Sequence, residues 1–382
     1  MAAIYLDHHA TTPLDPEVLE AMRPYWREAF GNPSSPHCFG WEAAEAIESA
    51  RQQLASLVSC RPRDVIFTSG GTESNNLALM GVARSHRDRG RHFVTTAVEH
   101  AAVIQVFRRL EEEGAEVTVV PVGTNGIVDP RDIERALRED TVLCSVMWAN
   151  NEIGTLQPVE EIAGICRSRG VLFHSDAAQA VGKIPVDSRR VDLLSLSAHK
   201  FHGPKGVGAL VITPRHPRIR LEPLMAGGGQ QSGMRPGTLP VPLIVGLGRA
   251  SELAAARMEE DAARVKDLRD HLIHRLTSEL EGIHLNGDPQ RRLPGNANLR
   301  IDGVEAEALI LEMREVAVGT TAACSSPEHR VSHVLTALGL DLEQARSSVR
   351  FGIGRENTRE EIDRASELVV RGVRKLRDFA RS

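Results

Sequence analysis

The chain has 382 residues, 41% apolar and 25% charged, with 46 basic against 51 acidic side chains and a formal charge of −5. This is ordinary globular composition and enough chain for two or three domains, so wholesale disorder and a fibrous repeat are excluded. No stretch approaches the ~18 uninterrupted apolar residues of a membrane-spanning helix, and the acidic balance argues mildly against nucleic acid as a main partner.

Short apolar runs predict strands at 65–68, 92–96, 117–121, 143–147, 171–174, 193–196 and 208–212. Helical spacing between them predicts helices at 75–85, 102–112, 130–137 and 159–168. Such alternation predicts a mostly parallel sheet covered by helices on both faces, with ligands beyond the carboxyl ends of the strands. The Gly- and Pro-rich stretch 225–242 reads as a long irregular loop, a feature uncommon unless functional. After Pro242 the pattern changes. Val265, Leu268, Leu272, Leu276 and Leu280 recur at helical spacing, predicting one or two long helices. A smaller α+β region follows, with strands at 297–301 and 348–353, helices at 306–313 and 331–338, and a charged amphipathic helix from Thr358.

The five cysteines are odd in number and form no C-x-x-C pair, which fits neither a disulfide scaffold nor a zinc ribbon. The N-terminus MAAIYLDHHATTP carries no secretory signal pattern, so a reduced cytoplasmic setting is expected. His8 and His9 have no second ligand cluster, and no metal is expected.

Only five lysines are present: Lys183, Lys200, Lys205, Lys266 and Lys375. Lys200 follows the run VDLLSLS in SAHKFHGPKG, at a predicted strand end. Desolvation there favours a neutral, nucleophilic amine, whereas an isolated His-Lys pair equally describes a surface loop. Lys183 and Lys205 are rivals with weaker surroundings. Asp176 ends the strand in VLFHSDAAQA and suits either a cationic ring nitrogen or a helix N-cap, with Gln179 close behind. In FTSGGTESNN a strand runs through two glycines into Thr72 and a helix, whose N–H groups suit a phosphate; the same residues also describe a plain strand–turn–helix join. The spacings of ATP and dinucleotide cradles are missing. His100 ends a further strand, where a lone histidine is also often structural. A phosphate loop, a histidine, an acid and a lysine at neighbouring strand ends are the set a pyridoxal phosphate site needs.

The ordered segments YLDHHATTP, FGNPSSPH, FTSGGTESNN, VEHAAV, SVMWANNEIGTLQP, HSDAAQAVGK, LSLSAHKFHGPKGVG, GGGQQSGMRPGTLP, LPGNANLRI and SSVRFGIGREN resemble the cysteine desulfurases, in the class-V, fold-type I group of pyridoxal phosphate enzymes. They cover essentially the whole chain. The resemblance implies a seven-stranded α/β domain over 16–256 and a small α+β domain from 1–15 and 257–382. It implies that Lys200 holds pyridoxal 5'-phosphate as a Schiff base, with Asp176 on the ring nitrogen, Gln179 on the phenolic oxygen and His100 over the ring. Asn151 would also touch the cofactor, and Gly71, Thr72, Ser197 and His199 its phosphate. Thr238 would reach the phosphate of a second subunit, implying a homodimer. Arg350 would grip the substrate carboxylate as a fork, near Asn32 and Asn151. Cys324, among small and polar residues that suggest a mobile loop, would take sulfur from L-cysteine as a persulfide, leaving L-alanine. An acceptor protein, such as an iron–sulfur scaffold or a sulfur carrier, would follow.

Cys144 and Cys166 are expected to be buried, Cys60 precedes a turn, and Cys38 is given no chemistry. Thr320-Thr321-Ala322-Ala323 stands where the family often has Ser-Gly-Ser before Ala-Cys, and the longer scaffold-docking tail of many housekeeping members is not seen. Rival expectations are a selenocysteine lyase, a class-V aminotransferase or, in another class, a non-catalytic scaffold. The run RHPRIR at 215–220 is too faint a signal for direct nucleic-acid binding, and no membrane partner is expected.

Overall fold

The computed structural model describes residues 3–320 and 331–381, so Cys324 lies outside the described residues. The strands are β1 (Ile4–Leu6), β2 (Val65–Thr68), β3 (His92–Thr96), β4 (Glu116–Val120), β5 (Thr141–Ser145), β6 (Leu172–Asp176), β7 (Leu193–Ser197), β8 (Gly208–Ile212), β9 (Ile283–Leu285), β10 (Asn296–Ile301), β11 (Val316–Thr320) and β12 (Ser348–Gly352). The helices are α1 (Pro16–Met22), α2 (Cys38–Leu57), α3 (Gly71–Ser85), α4 (Ala101–Glu112), α5 (Pro130–Ala136), α6 (Val159–Ser168), α7 (Val241–Glu279), α8 (Ala306–Glu312), α9 (His333–Ala337), α10 (Leu342–Arg346) and α11 (Arg359–Arg381).

Seven strands form the larger sheet, in the order β2-β8-β7-β6-β5-β3-β4. All run one way except β8, which is antiparallel to both neighbours. Side chains alternate across a sheet. Phe67, Cys144, Phe173 and Ala209 join a buried cluster with α2, α6 and the start of α7. Their neighbours Ile66, Leu143, Leu172 and Leu210 join another with α3 and α4. Burial on both faces explains why these strands read as continuous apolar runs. β2 is an outer strand, and the Gln231 side chain completes its free edge. The Phe67 N–H donates to Gln231 Oε1 (2.8 Å), and Gln231 Nε2 donates to the Phe67 carbonyl (2.7 Å).

A five-stranded sheet, β1-β11-β12-β10-β9, packs Leu6, Leu299, Val349 and Phe351 against the second half of α7 and α11. The N-terminal strand pairs in parallel with β11, some 300 residues later in the chain. The 39 residues of α7 form one helix, roughly 58 Å long at 1.5 Å per residue. Its first turn holds Pro242, where a missing N–H leaves no hydrogen bond unmade.

Element boundaries shift for local reasons. The strand expected at 143–147 ends at Ser145, because the Met147 N–H leaves the ladder for Glu99 Oε1 (2.9 Å). The helix expected from Val331 starts at His333, since Ser332 is its N-cap and accepts from the Leu335 N–H (3.1 Å). The helix expected at 75 begins at Gly71, directly from the glycine turn.

Candidate active site

The carboxyl ends of β2, β3, β5, β6 and β7 open on one side of the larger sheet. After β7, a short turn at Ala198–Lys200 delivers Lys200, whose Nζ donates to the carbonyls of His9 (2.8 Å) and Ala10 (2.9 Å). The N-terminal segment therefore closes over the lysine. It is held there by the Thr12 hydroxyl, which donates to the His199 carbonyl (3.0 Å), and by Thr11 Oγ1 beside His199 Nδ1 (3.0 Å).

Asp176 is the last residue of β6 and is buried. Its Oδ2 accepts from Asn75 Nδ2 (2.7 Å) and its Oδ1 from the Ala178 N–H (2.9 Å). The residues after it form turns instead of a helix, so the Asp176 carboxylate caps a turn. Gln179, also buried, donates through Nε2 to the His9 carbonyl (2.8 Å). Its Oε1 lies 2.8 Å from Lys183 Nζ and 3.1 Å from His9 Nδ1.

After β2, Gly70 takes φ +152° and α3 begins without a side-chain cap on its first N–H groups. A Cβ on Gly208 would lie 2.7 Å from Gly70 Cα, so bare backbone on both sides brings the β2 turn against β8. Gly71 is half-buried and Thr72 exposed at this helix end, beside Ser197 at the end of β7.

His100 is the N-cap of α4, with Nδ1 accepting from the Ala102 N–H (3.1 Å). Burial lowers its pKa, the Asp176 charge opposes this, and Lys200 and His333 lower it further. The imidazole is therefore neutral near pH 7. With Nδ1 occupied as an acceptor, its proton sits on Nε2, so the ring offers an N–H. Burial likewise lowers His199 to about 4.

Arg350, on β12, is 6% exposed. Nη1 donates to the Asn151 carbonyl (2.9 Å) and Nη2 to Asp7 Oδ1 (2.8 Å), while the Nε–H is buried without a partner among the described residues. The guanidinium lies across Gly319, its cross-strand partner. A Cβ there would come within 2.7 Å of Nη2.

The structure thus links Lys200, Gln179 and His9 in one network, sets Asp176 and Lys200 within electrostatic reach of His100, and joins Arg350 to Asn151. Asn32 and Thr238 are exposed and stand outside this network. Cys144 and Cys166 are buried, as expected, and Cys38 is exposed. No group of acidic, histidine and cysteine side chains suited to a metal occurs among the described residues.

Several participants escaped sequence reasoning. Asp7 carries no local signal, because its partner is 343 residues away. Lys183, set with Lys205 as a weaker rival to Lys200, hydrogen-bonds to Gln179 four residues before it. Glu99, buried beside His100, has its pKa raised to about 8, chiefly by burial.

The chain belongs to the class-V aminotransferase family, whose model matches residues 4–365. Members of this family, cysteine desulfurases included, are pyridoxal phosphate enzymes. The chain is 50% identical over 380 residues to the cysteine desulfurase of Mus musculus, covering 99% of this chain and 83% of that one. It is 48% identical to the cysteine desulfurase IscS of Rickettsia bellii, covering 99% and 92%. A solved NifS-like protein superimposes with a TM-score of 0.90 at 37% identity, over 97% of this chain and 98% of the other.

Proposed function

We propose that this chain is a pyridoxal phosphate-dependent cysteine desulfurase that converts L-cysteine to L-alanine and hands the sulfur on through Cys324. The observation that carries it is the gathering of an amine, a buried carboxylate, an uncapped helix start and a neutral imidazole at one end of the sheet. Similarity of about half the residues to cysteine desulfurases along the whole chain supports the same conclusion.

The donor set fits the cofactor. The uncapped N–H groups of α3 suit a phosphate dianion. Gly71, Thr72, Ser197 and His199 would hold that phosphate, and Lys200 would join the aldehyde. Asp176 would pair with the ring nitrogen, Gln179 with the phenolic oxygen through its remaining Nε2 hydrogen, and Asn151 would complete the contacts. When bound, the cofactor supplies an electron sink for the bond broken at the substrate Cα.

The chain's own groups do the rest. Arg350 would bind the substrate carboxylate through its spare N–H groups, and Asn32, exposed and outside this network, would be a further contact to the substrate. Lys200 Nζ carries the Cα proton. His100 presents Nε2–H to the substrate and acts as a proton donor. The Cys324 thiolate attacks the substrate sulfur. The S–S bond of a persulfide forms as the substrate C–S bond breaks, and the carbon side takes a proton to give alanine.

The chain divides at residues 16 and 257 into a large domain and a small one, supported by the separate buried clusters of the two sheets. A homodimer fits the exposed aromatics Trp26, Phe30 and Trp41, at 62%, 67% and 65% exposure, close in sequence to Asn32. Thr238, exposed on the 225–242 loop, would serve the site of a second copy. The sulfur acceptor would be an iron–sulfur scaffold or a carrier protein, in a reducing cytoplasm where the four described cysteines stay free thiols. Among the described residues no helix is long and apolar enough to cross a membrane.

Lys200→Ala protein should show no cofactor absorption linked to the chain and release no alanine from cysteine. Cys324→Ala protein should keep the cofactor yet form no protein persulfide. Normal turnover in the first variant, or wild-type persulfide formation in the second, would overturn the assignment.

A further inference from the structure

The Asp176 carboxylate accepts one hydrogen bond on each oxygen among the described residues. The Ala178 N–H donates to Oδ1 (2.9 Å) and Asn75 Nδ2 donates to Oδ2 (2.7 Å). The side chains that feel this charge offer no cation in return. Glu99, His100 and His174 each respond to Asp176. Burial lifts Glu99 to about 8, lowers His100 and holds His174 at about 4, so near pH 7 all three are neutral.

The two donors differ in kind. The Ala178 N–H is main chain, two residues on, and almost any residue would supply it. Asn75 comes from α3, 101 residues away. The first turn of that helix is pinned to the end of β2, because Ser74 Oγ lies 2.7 Å from Thr68 Oγ1 and 3.0 Å from the Gly70 carbonyl. The helix whose uncapped N–H groups suit a phosphate therefore carries Asn75 one turn further on.

Asn75 makes its bond at a cost. It is 1% exposed, and its Oδ1 is buried without a partner among the described residues. A leucine of similar shape would leave no orphaned carbonyl. Turning the amide over would set its oxygen against the carboxylate, acceptor against acceptor, so Asp176 fixes which end points to it.

We propose that Asn75 is a positioning residue for the reaction: its amide fixes the plane of the Asp176 carboxylate and favours the charged form, so that the proton between Asp176 and the cofactor ring stays on the ring nitrogen. With Oδ1 alone engaged, the carboxylate can turn about its Cβ–Cγ bond, and the second bond, to Oδ2, stops that rotation. A hydrogen bond to an ionised acid favours it over the protonated acid. The inference rests on the pyridoxal phosphate reading for the group that Asp176 meets, whereas the bond between Asn75 and Asp176 does not.

The probe is protein loaded with pyridoxal phosphate carrying 15N in its ring, whose NMR shift reports the proton on that nitrogen. In N75L the signal should move toward the unprotonated nitrogen. In alanine release, kcat and kcat/KM for L-cysteine should fall together by roughly 10-fold or more, as loss of one hydrogen bond to a charged group implies. A thermal melt establishes folding, and N75A, which removes the same donor without adding apolar bulk, should move the 15N signal the same way. In cofactor-free protein the Asn75 side-chain amide protons should shift upfield in D176A, because their charged acceptor is gone.

Folded N75L or N75A with a wild-type 15N signal, or with a raised KM at unchanged kcat, would overturn the proposal. So would an Asn75 amide signal that stays put in D176A, whatever the cofactor does. Wild-type protein that takes up no cofactor would overturn the functional reading, and the ring partner proposed for Asp176 with it.

Discussion

Arg350→Lys isolates geometry from charge. A guanidinium has five N–H donors. The Asn151 carbonyl and Asp7 each take one, and the Nε–H is buried without a partner among the described residues, beside a further Nη hydrogen. That edge matches the two oxygens of a carboxylate. Lysine keeps the positive charge and reaches one oxygen, so the substitution removes about one hydrogen bond to a charged group, worth roughly 1.5–3 kcal/mol. If the bond is made equally in the bound substrate and the transition state, KM for L-cysteine should rise ~10- to 150-fold with kcat little changed. The assay is initial-rate alanine release over a range of cysteine concentrations, with a thermal melt to establish folding. Gly319→Ala provides a gentler version. The added Cβ would crowd Nη2 and Nε, at 2.7 and 2.9 Å, and displace the fork without removing it. It should raise KM in the same direction by less. An R350K protein that melts normally and keeps its KM, or one that loses kcat at constant KM, would refute this use of the guanidinium.

Stability should fall on acidification. Burial holds His174 and His8 at about 4 and His202 at about 3, all below the ordinary 6.5. The unfolded chain therefore binds protons that the folded chain refuses. Each such histidine costs about 1.4 kcal/mol of stability per pH unit between 6.5 and its folded value, and contributes its full stabilisation above 6.5. His174→Gln should flatten the slope of unfolding free energy against pH between 6.5 and 4, and an unchanged slope would be evidence against it. Ser332 caps α9 and donates to the buried Glu152 carboxylate, so Ser332→Ala should destabilise the protein by about 2–4 kcal/mol in chemical denaturation. Trp41→Glu places a charge in the exposed aromatic patch and should shift the mass seen by light scattering from two chains to one; an unaltered mass would locate the contact elsewhere.

Much of the larger sheet was legible because its strands are buried on both faces. Val65–Thr68, His92–Thr96 and Gly208–Ile212 stand out as apolar runs with the bounds the structure gives them. The reversed direction of β8 was not legible, since a run of apolar residues has no polarity. Nor was β1: three residues, Ile4–Leu6, become a strand only through β11, far away in the chain. At the site, Lys200 and Asp176 were legible through their position after strands. Plain structural roles are present as well: the Asp176 carboxylate caps a turn and His100 caps α4.

Gln231 has an effect beyond its own loop. One primary amide imitates a strand, occupying both the donor and the acceptor of Phe67 on the sheet's outer rim. An open rim is a template on which other chains can stack, so this amide guards against runaway sheet growth. It also moors the glycine-rich stretch, whose Arg235 pairs with Glu73 at the start of α3 (2.9 Å). Protection from aggregation and the placement of that stretch are thus joined in one side chain, and selection for either would preserve both.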